Sequence, residues 1–184
     1  MADLDANSLL QAIRRLGEVV ALRWQGGVLD LVLMGAASGM VAGWLAGSRV
    51  TTDCDVVLPK ELGAWEILSQ AAKQVADEFG LPQTWLNDAA QVYLWCLPLG
   101  WRSRCEPVVR AGPLVVMRLS RGDLIGAKVI AGRTQDLEDL RAMRPSGVEL
   151  DEVDDHIERL ERENLDRKDF DDARAIVRML RSLA

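Results

Sequence analysis

Two carboxylates, Asp53 and Asp55, stand two residues apart where an apolar run begins, in Thr51-Thr52-Asp53-Cys54-Asp55-Val56-Val57-Leu58. In an extended chain, residues two apart point to the same side. The pair therefore aims two hard oxygen donors at one point, while Cys54 faces the other way, toward a core. Such donors suit a divalent cation such as Mg²⁺, which keeps several waters and bridges to phosphate oxygens. An Asp-x-Asp pair alone is common among solvated surface residues. This one is set apart by its place at the edge of a strand, downstream of a glycine turn at Gly35.

The elements that must position the pair are legible around it. Val28 to Met34 is a nearly continuous apolar run, as a central strand covered on both sides requires. Ala36 to Ala46 is rich in small residues and reads as a helix able to pack close to that strand. Val56-Val57-Leu58 continues the second strand, and Pro59 stops it. Before these, Asn7 or Ser8 can cap a first helix whose buried face carries Leu9, Ile13, Leu16 and Val20. After them, Glu61 to Phe79 reads as an amphipathic helix with Leu62, Trp65, Leu68, Ala72, Val75 and Phe79 on its apolar side. Gly80 closes that helix and Pro82 prevents its continuation.

Downstream, residues 80–104 read as short helix and loop. Cys105 to Val109 and Leu114 to Leu119 are two β-rich runs, joined as a hairpin through Arg110-Ala111-Gly112-Pro113. Ser120 with Asp123 resembles a capping box, and helices over 123–131 and 136–143 follow. Pro145-Ser146-Gly147 is the clearest linker, and Glu149 to Ala184 reads as two charged helices. Leu160 belongs to the first. Phe170, Ala173, Val177 and Leu180 mark the buried stripe of the second. The fold class is α/β: a small mixed sheet flanked by helices over residues 1–144, with a C-terminal helical extension over 145–184.

Composition narrows the functional classes. The chain has 184 residues, 49% hydrophobic, and a net charge of −6. That length suits one domain with a small helical annex, and the acidic balance argues against a generally basic nucleic-acid-binding surface. Cys54, Cys96 and Cys105 are widely spaced with no C-x-x-C, which reads as reduced thiols of a cytoplasmic protein. Val28 to Gly47 is long and apolar, but Asp30 and repeated glycines break it up, so a membrane span is not expected.

The order of apolar strand, glycine turn, helix and T-x-D-x-D strand resembles the nucleotidyltransferase core of the DNA polymerase β superfamily. The closer likeness is to its minimal bacterial branch, which includes AbiEii-type toxin-like nucleotidyltransferases. Gly80-Leu81-Pro82 with Trp85-Leu86-Asn87-Asp88, Leu99 to Arg104, Leu124 to Lys128 with Gly132-Arg133, and Asp136 to Leu140 extend it over most of Val28 to Met143. The resemblance implies that Asp53 and Asp55 hold Mg²⁺ against the triphosphate of an NTP. It implies that Gly35 lets the backbone approach phosphate, and that a nucleoside monophosphate passes to a hydroxyl acceptor. The acceptor classes it leaves open are a tRNA end, a protein hydroxyl or a small molecule. The partner it implies is an antitoxin or other protein.

Two departures from the family pattern carry weight. Ala36 and Ala37 follow Gly35 where Gly or Ser is usual, and Ser38 is the nearest hydroxyl. The third carboxylate of a polymerase-type metal site has Glu106 as its positional candidate and Asp88 as a second. Lys128 reads either as a cation near the phosphates or as a lysine snorkelling from a helix surface. Asn87 and Asp88 either line the cleft or cap a short helix. Arg133, Asp136 and Asp139 read as an ion-pair network around the helix of Lys128, with exposed surface pairing as the plainer account. Trp85, Trp95 and Trp101 read as core or rim packing rather than as base-stacking platforms. His156 has no visible partner for a Ser-His or Cys-His mechanism. The rival to an enzyme is a noncatalytic binding or regulatory module on the same fold.

Overall fold

The structure, a computed structural model, describes residues 3–163 and 169–183. Its contacts divide the chain into two compact units, Met1–Gln91 with Cys105–Leu119 and Val92–Arg104 with Ser120–Ala184. The linker expected at Pro145 falls inside the second unit. There Pro145 is buried, and Ser146 Oγ accepts the Glu149 N–H at 3.3 Å as the next helix begins.

The first unit is built on a five-stranded mixed sheet of order β3-β2-β1-β5-β4. β1 (Leu29–Leu33) is central. It pairs antiparallel with β2 (Cys54–Val57) and parallel with β5 (Leu114–Arg118). β5 pairs antiparallel with β4 (Glu106–Ala111), forming the expected hairpin. β2 pairs parallel with β3, only Leu86–Asn87, a strand absent from the sequence reading. Two residues cannot carry an alternation, so no periodicity marks β3.

Alternation on β1 sends Leu29, Leu31 and Leu33 into one core, where they meet Cys54, Val56, Leu114 and Val116. Helices α1 (Ala6–Ala21) and α3 (Ala64–Phe79) contribute the other side of that core through Leu9, Ile13, Leu16, Val20, Leu68, Ala72 and Val75. α1 lies close on the hairpin: a side chain at Gly17 would sit 2.4 Å from Ala111 Cβ.

Caps differ from expectation in detail. Asp5, rather than Asn7 or Ser8, caps α1. Its Oδ1 accepts the Ser8 N–H at 2.7 Å, and its own N–H donates to Ser8 Oγ at 2.9 Å. α3 starts at Ala64 because Gly63 takes φ +76°, which strands Leu62 at 99% exposure outside the apolar face. α2 spans only Gly35–Val41. Gly80 ends α3 in the left-handed conformation, as its residue type predicts.

The second unit is helical. A 3-10 segment (Ala89–Cys96) leads into it, followed by α4 (Trp101–Arg104), α5 (Arg121–Ala131), α6 (Thr134–Met143), α7 (Gly147–Glu163) and α8 (Asp169–Arg181). Ser120 caps α5 through the Asp123 N–H. Leu160 on α7 and Phe170, Ala173, Val177 and Leu180 on α8 are buried as read from the sequence. Residues 164–168, within the charged tail, lie outside the described residues. Among the described residues, no helix is long and apolar enough to cross a membrane.

Candidate active site

The paired acids sit at the start of β2, with Cys54 between them fully buried in the core. Asp55 is half-buried on the opposite face of the strand; Asp53 precedes the strand and is exposed. Burial pushes the Cys54 thiol pKa up, and the Asp55 and Asp53 carboxylates push it further. Both acids therefore lie close enough to oppose a thiolate, and Cys54 is a core residue rather than a nucleophile.

β1 delivers the chain to this point. The Met34 N–H donates to the Asp55 carbonyl at 2.8 Å, and the next residue, Gly35, turns the chain into α2 at φ +52°. A Cβ at Gly35 would stand 3.2 Å from Asp55 Oδ2. The left-handed backbone favours glycine there, and an added Cβ would press on the carboxylate. No side chain caps the start of α2. Ser38 is fully buried, and its Oγ accepts the Leu119 N–H at 3.2 Å, tying α2 to the end of β5.

Asp53 is held differently. The Thr51 hydroxyl lies 2.9 Å from Asp53 Oδ1 and 3.1 Å from the Asp53 carbonyl. Thr51 itself forms a two-bond bridge with Leu4, the Leu4 N–H donating at 2.8 Å and the Thr51 N–H at 2.9 Å. Sequence reading placed Thr51 in the T-x-D-x-D motif without giving it a task; the Thr-x-Asp spacing was the available signal.

The residue in register with Asp55 on the neighbouring strand is Asn87. Its Oδ1 accepts the Ala89 N–H at 2.9 Å, so it also caps the 3-10 segment. Asp88 Oδ2 accepts from Gln91 Nε2 at 3.0 Å. Glu106 lies on β4, separated from β2 by β1 and β5, a span of about 14 Å at the usual strand spacing. There it pairs with Arg118 at 2.6 Å, and the Arg118 guanidinium covers the Trp44 ring at 4.3 Å. The structure does not gather Glu106 with the acids of β2. Among the described residues, no three His, Cys, Asp or Glu side chains are grouped to hold a metal ion.

In the second unit, Lys128 is 3% exposed, with its ammonium 3.0 Å from Asp136 Oδ1 and 2.6 Å from Asp139 Oδ2. It does not snorkel: the charge is sealed between two acids that are themselves buried. Arg133 adds a bond to Asp136 Oδ2 at 2.7 Å. The network around the α5 helix thus exists, but buried rather than as surface pairing. Arg104 grips Asp123 through both carboxylate oxygens, at 2.6 and 3.0 Å. His156 is buried, with Nε2 2.7 Å from the Cys96 carbonyl. That bond needs an Nε2–H, and among the described residues Nδ1 meets no hydrogen-bond partner. Burial lowers the His156 pKa.

The tryptophans are packing residues in part. Trp85 is fully buried and donates from Nε1 to the Ala72 carbonyl at 2.9 Å. Trp95 meets Phe170 edge-on, and Arg102 lies over Trp101.

A central strand, a glycine turn, a short helix and a returning strand that opens on paired acids, all on a mixed sheet, define a nucleotidyltransferase-like α/β protein. The chain belongs to the family described as nucleotidyltransferase of unknown function (DUF6036), which matches residues 9–175. No curated protein and no solved structure matches it.

Proposed function

We propose that this protein is a Mg²⁺-dependent nucleotidyltransferase in which Asp53 and Asp55 hold the metal. The single observation that carries this reading is the arrangement of Gly35 against Asp55. A glycine in a left-handed turn leaves room beside Asp55 Oδ2, to which a Cβ would come within 3.2 Å. Two carboxylates leave coordination positions for water and phosphate oxygens, as Mg²⁺ prefers. Bound there, the cation would neutralise charge developing on the triphosphate and orient the in-line attack. The acceptor oxygen forms a bond to the α-phosphorus as the bond to the pyrophosphate oxygen breaks, and the acceptor proton leaves to solvent or a base.

Asn87, in register with Asp55, and the neighbouring Asp88 are the side chains of β3 and its exit that we assign to the substrate side of this site. The motif order supports an AbiEii-like, toxin-type role with an antitoxin or other protein as partner. The three cysteine thiols, none of them in a disulfide, support a reducing, cytoplasmic setting. Asp53→Ala with Asp55→Ala is expected to abolish both metal-dependent NTP binding and transfer. A folded double variant that binds and transfers like the parent ends this reading.

A second reading, a noncatalytic binding or regulatory module on the same fold, is favoured by one observation: the residue in register with Asp55 on β3 is a neutral amide rather than an acid. Calorimetry with Mg²⁺ and each NTP, alongside a transfer assay across tRNA, protein and small-molecule acceptors, separates the two. No heat with any nucleotide on folded protein, or binding without transfer to any of these acceptors, supports the module.

A further inference from the structure

We propose that Thr51 is a positioning residue that orients the Asp53 carboxylate toward a divalent cation, with Leu4 holding Thr51 in place. This rests on the reading of Asp53 and Asp55 as metal ligands.

Asp53 needs such a support. It precedes β2, so no strand ladder fixes it, and it is exposed. An exposed aspartate otherwise samples several rotamers, and a ligand that must be ordered on binding is a weaker ligand. The Thr51 hydroxyl has one proton and two acceptors near it, Asp53 Oδ1 at 2.9 Å and the Asp53 carbonyl at 3.1 Å. The ionised oxygen is the stronger acceptor and takes it. With Oδ1 so engaged, Oδ2 keeps its full lone-pair capacity for a cation. The Asp53 N–H returns toward Thr51 Oγ1 at 3.4 Å, closing the turn.

A threonine can orient a neighbour only if its own backbone is fixed. Thr51 is 8% exposed, and both its N–H and its carbonyl are bonded to Leu4. Leu4 is anchored in the core, and the next residue, Asp5, caps α1. The brace therefore runs from the capped end of α1 through Leu4 and Thr51 to Asp53. This is the role outer-shell hydrogen bonds play at metal sites, where their loss costs roughly 10- to 100-fold in metal affinity.

The test is Mn²⁺ binding followed by electron paramagnetic resonance on the full chain, with thermal melting as the control for folding. Thr51→Val keeps the shape and removes the hydroxyl, and Thr51→Ala does so with less bulk should the first variant not fold. Both are expected to weaken Mn²⁺ binding by about tenfold or more, and Thr51→Ser is expected to restore it to within about threefold of the parent by returning the hydroxyl. A merely structural role would lower the melting temperature and leave Mn²⁺ affinity of the folded protein unchanged. Hydroxyl-less variants that bind Mn²⁺ like the parent overturn the proposal, as does a serine variant as weak as valine. A parent that binds no more Mn²⁺ than the Asp53→Ala, Asp55→Ala variant overturns the metal reading itself, and this inference with it.

Discussion

Asp53 and Asp55 stand two apart at the mouth of a strand; Asp136 and Asp139 stand three apart on a helix. The helical spacing puts Asp136 and Asp139 on one side of their helix, while Asp53 precedes the strand to which Asp55 belongs. The helix pair is buried and already holds a cation of the chain's own, the Lys128 ammonium. In the strand pair Asp53 is exposed and Asp55 half-buried, and the Thr51 hydroxyl lies 2.9 Å from Asp53 Oδ1. Burial explains the difference. An ionised acid removed from water must be compensated where it lies, whereas an acid at the surface can take its counter-ion from solution. The helix pair is therefore a structural cross-link between α5 and α6, whereas the strand pair stands nearer the surface of the first unit.

The sharpest way to break this contrast is to remove the cation from one pair and the acids from the other. Lys128→Met leaves two buried carboxylates facing each other and is expected to cost about 3–5 kcal/mol, read as a lower urea midpoint. Asp53→Ala is expected to leave that midpoint within about 0.5 kcal/mol of the parent. If the lysine variant costs under about 1 kcal/mol, the buried network is not what holds α5 to α6.

Gly35→Ala probes the strand side at intermediate size. The left-handed turn alone costs about 1–2 kcal/mol for a residue with a Cβ. The added methyl also crowds Asp55 Oδ2, so metal-dependent NTP binding should weaken by more than the stability loss accounts for. Equal losses in both would mean the glycine serves only the turn.

His156 gives the second unit a dependence on pH. Its folded pKa lies below the ordinary value of 6.5, because burial disfavours the charged form. Below about pH 6.5 the unfolded chain takes up a proton that the folded chain resists. Stability should therefore fall as pH drops through that window and level off below the folded pKa. Urea midpoints at pH 7.5 and pH 5.5 should differ less in His156→Gln than in the parent; identical differences would sink the assignment.

Smaller still is Arg133→Gln. Its side chain is 58% exposed while the acid it bonds is buried and already paired with Lys128, so the expected loss is under about 1 kcal/mol. Leu62→Ser should be neutral within about 0.5 kcal/mol, since Leu62 lies almost wholly in solvent. A larger loss at Leu62 would place it against something the monomer does not contain.

Several elements were readable because their periodicity is strong. The Leu9, Ile13, Leu16 and Val20 face of α1, the Leu29–Leu33 strand, the hairpin around Gly112 and the Phe170 to Leu180 stripe all follow from spacing. The end of α3 followed from Gly80, but its start did not follow from the apolar pattern, because the Gly63 backbone overrides Leu62. β3 is defined by its neighbour β2 rather than by its own two residues. At the candidate site, Asp53, Asp55 and Gly35 were legible from residue type and order. The bond from Thr51 to Asp53 and the bridge from Thr51 to Leu4 were not. The first is a local rotamer choice, and the second joins residues 47 positions apart, as counted along the chain.

What the residues alone settled is local: which stretches are apolar on one side, where glycine must bend the chain, and that two acids share a strand end. Such properties depend on near neighbours, which the order of residues states outright. Which partner each charge meets was decided by the fold. Lys128 met Asp136 and Asp139, Glu106 met Arg118, and Asn87 came beside Asp55. Those meetings depend on helix packing and strand order, set by the whole core at once, and no spacing along the chain encodes them.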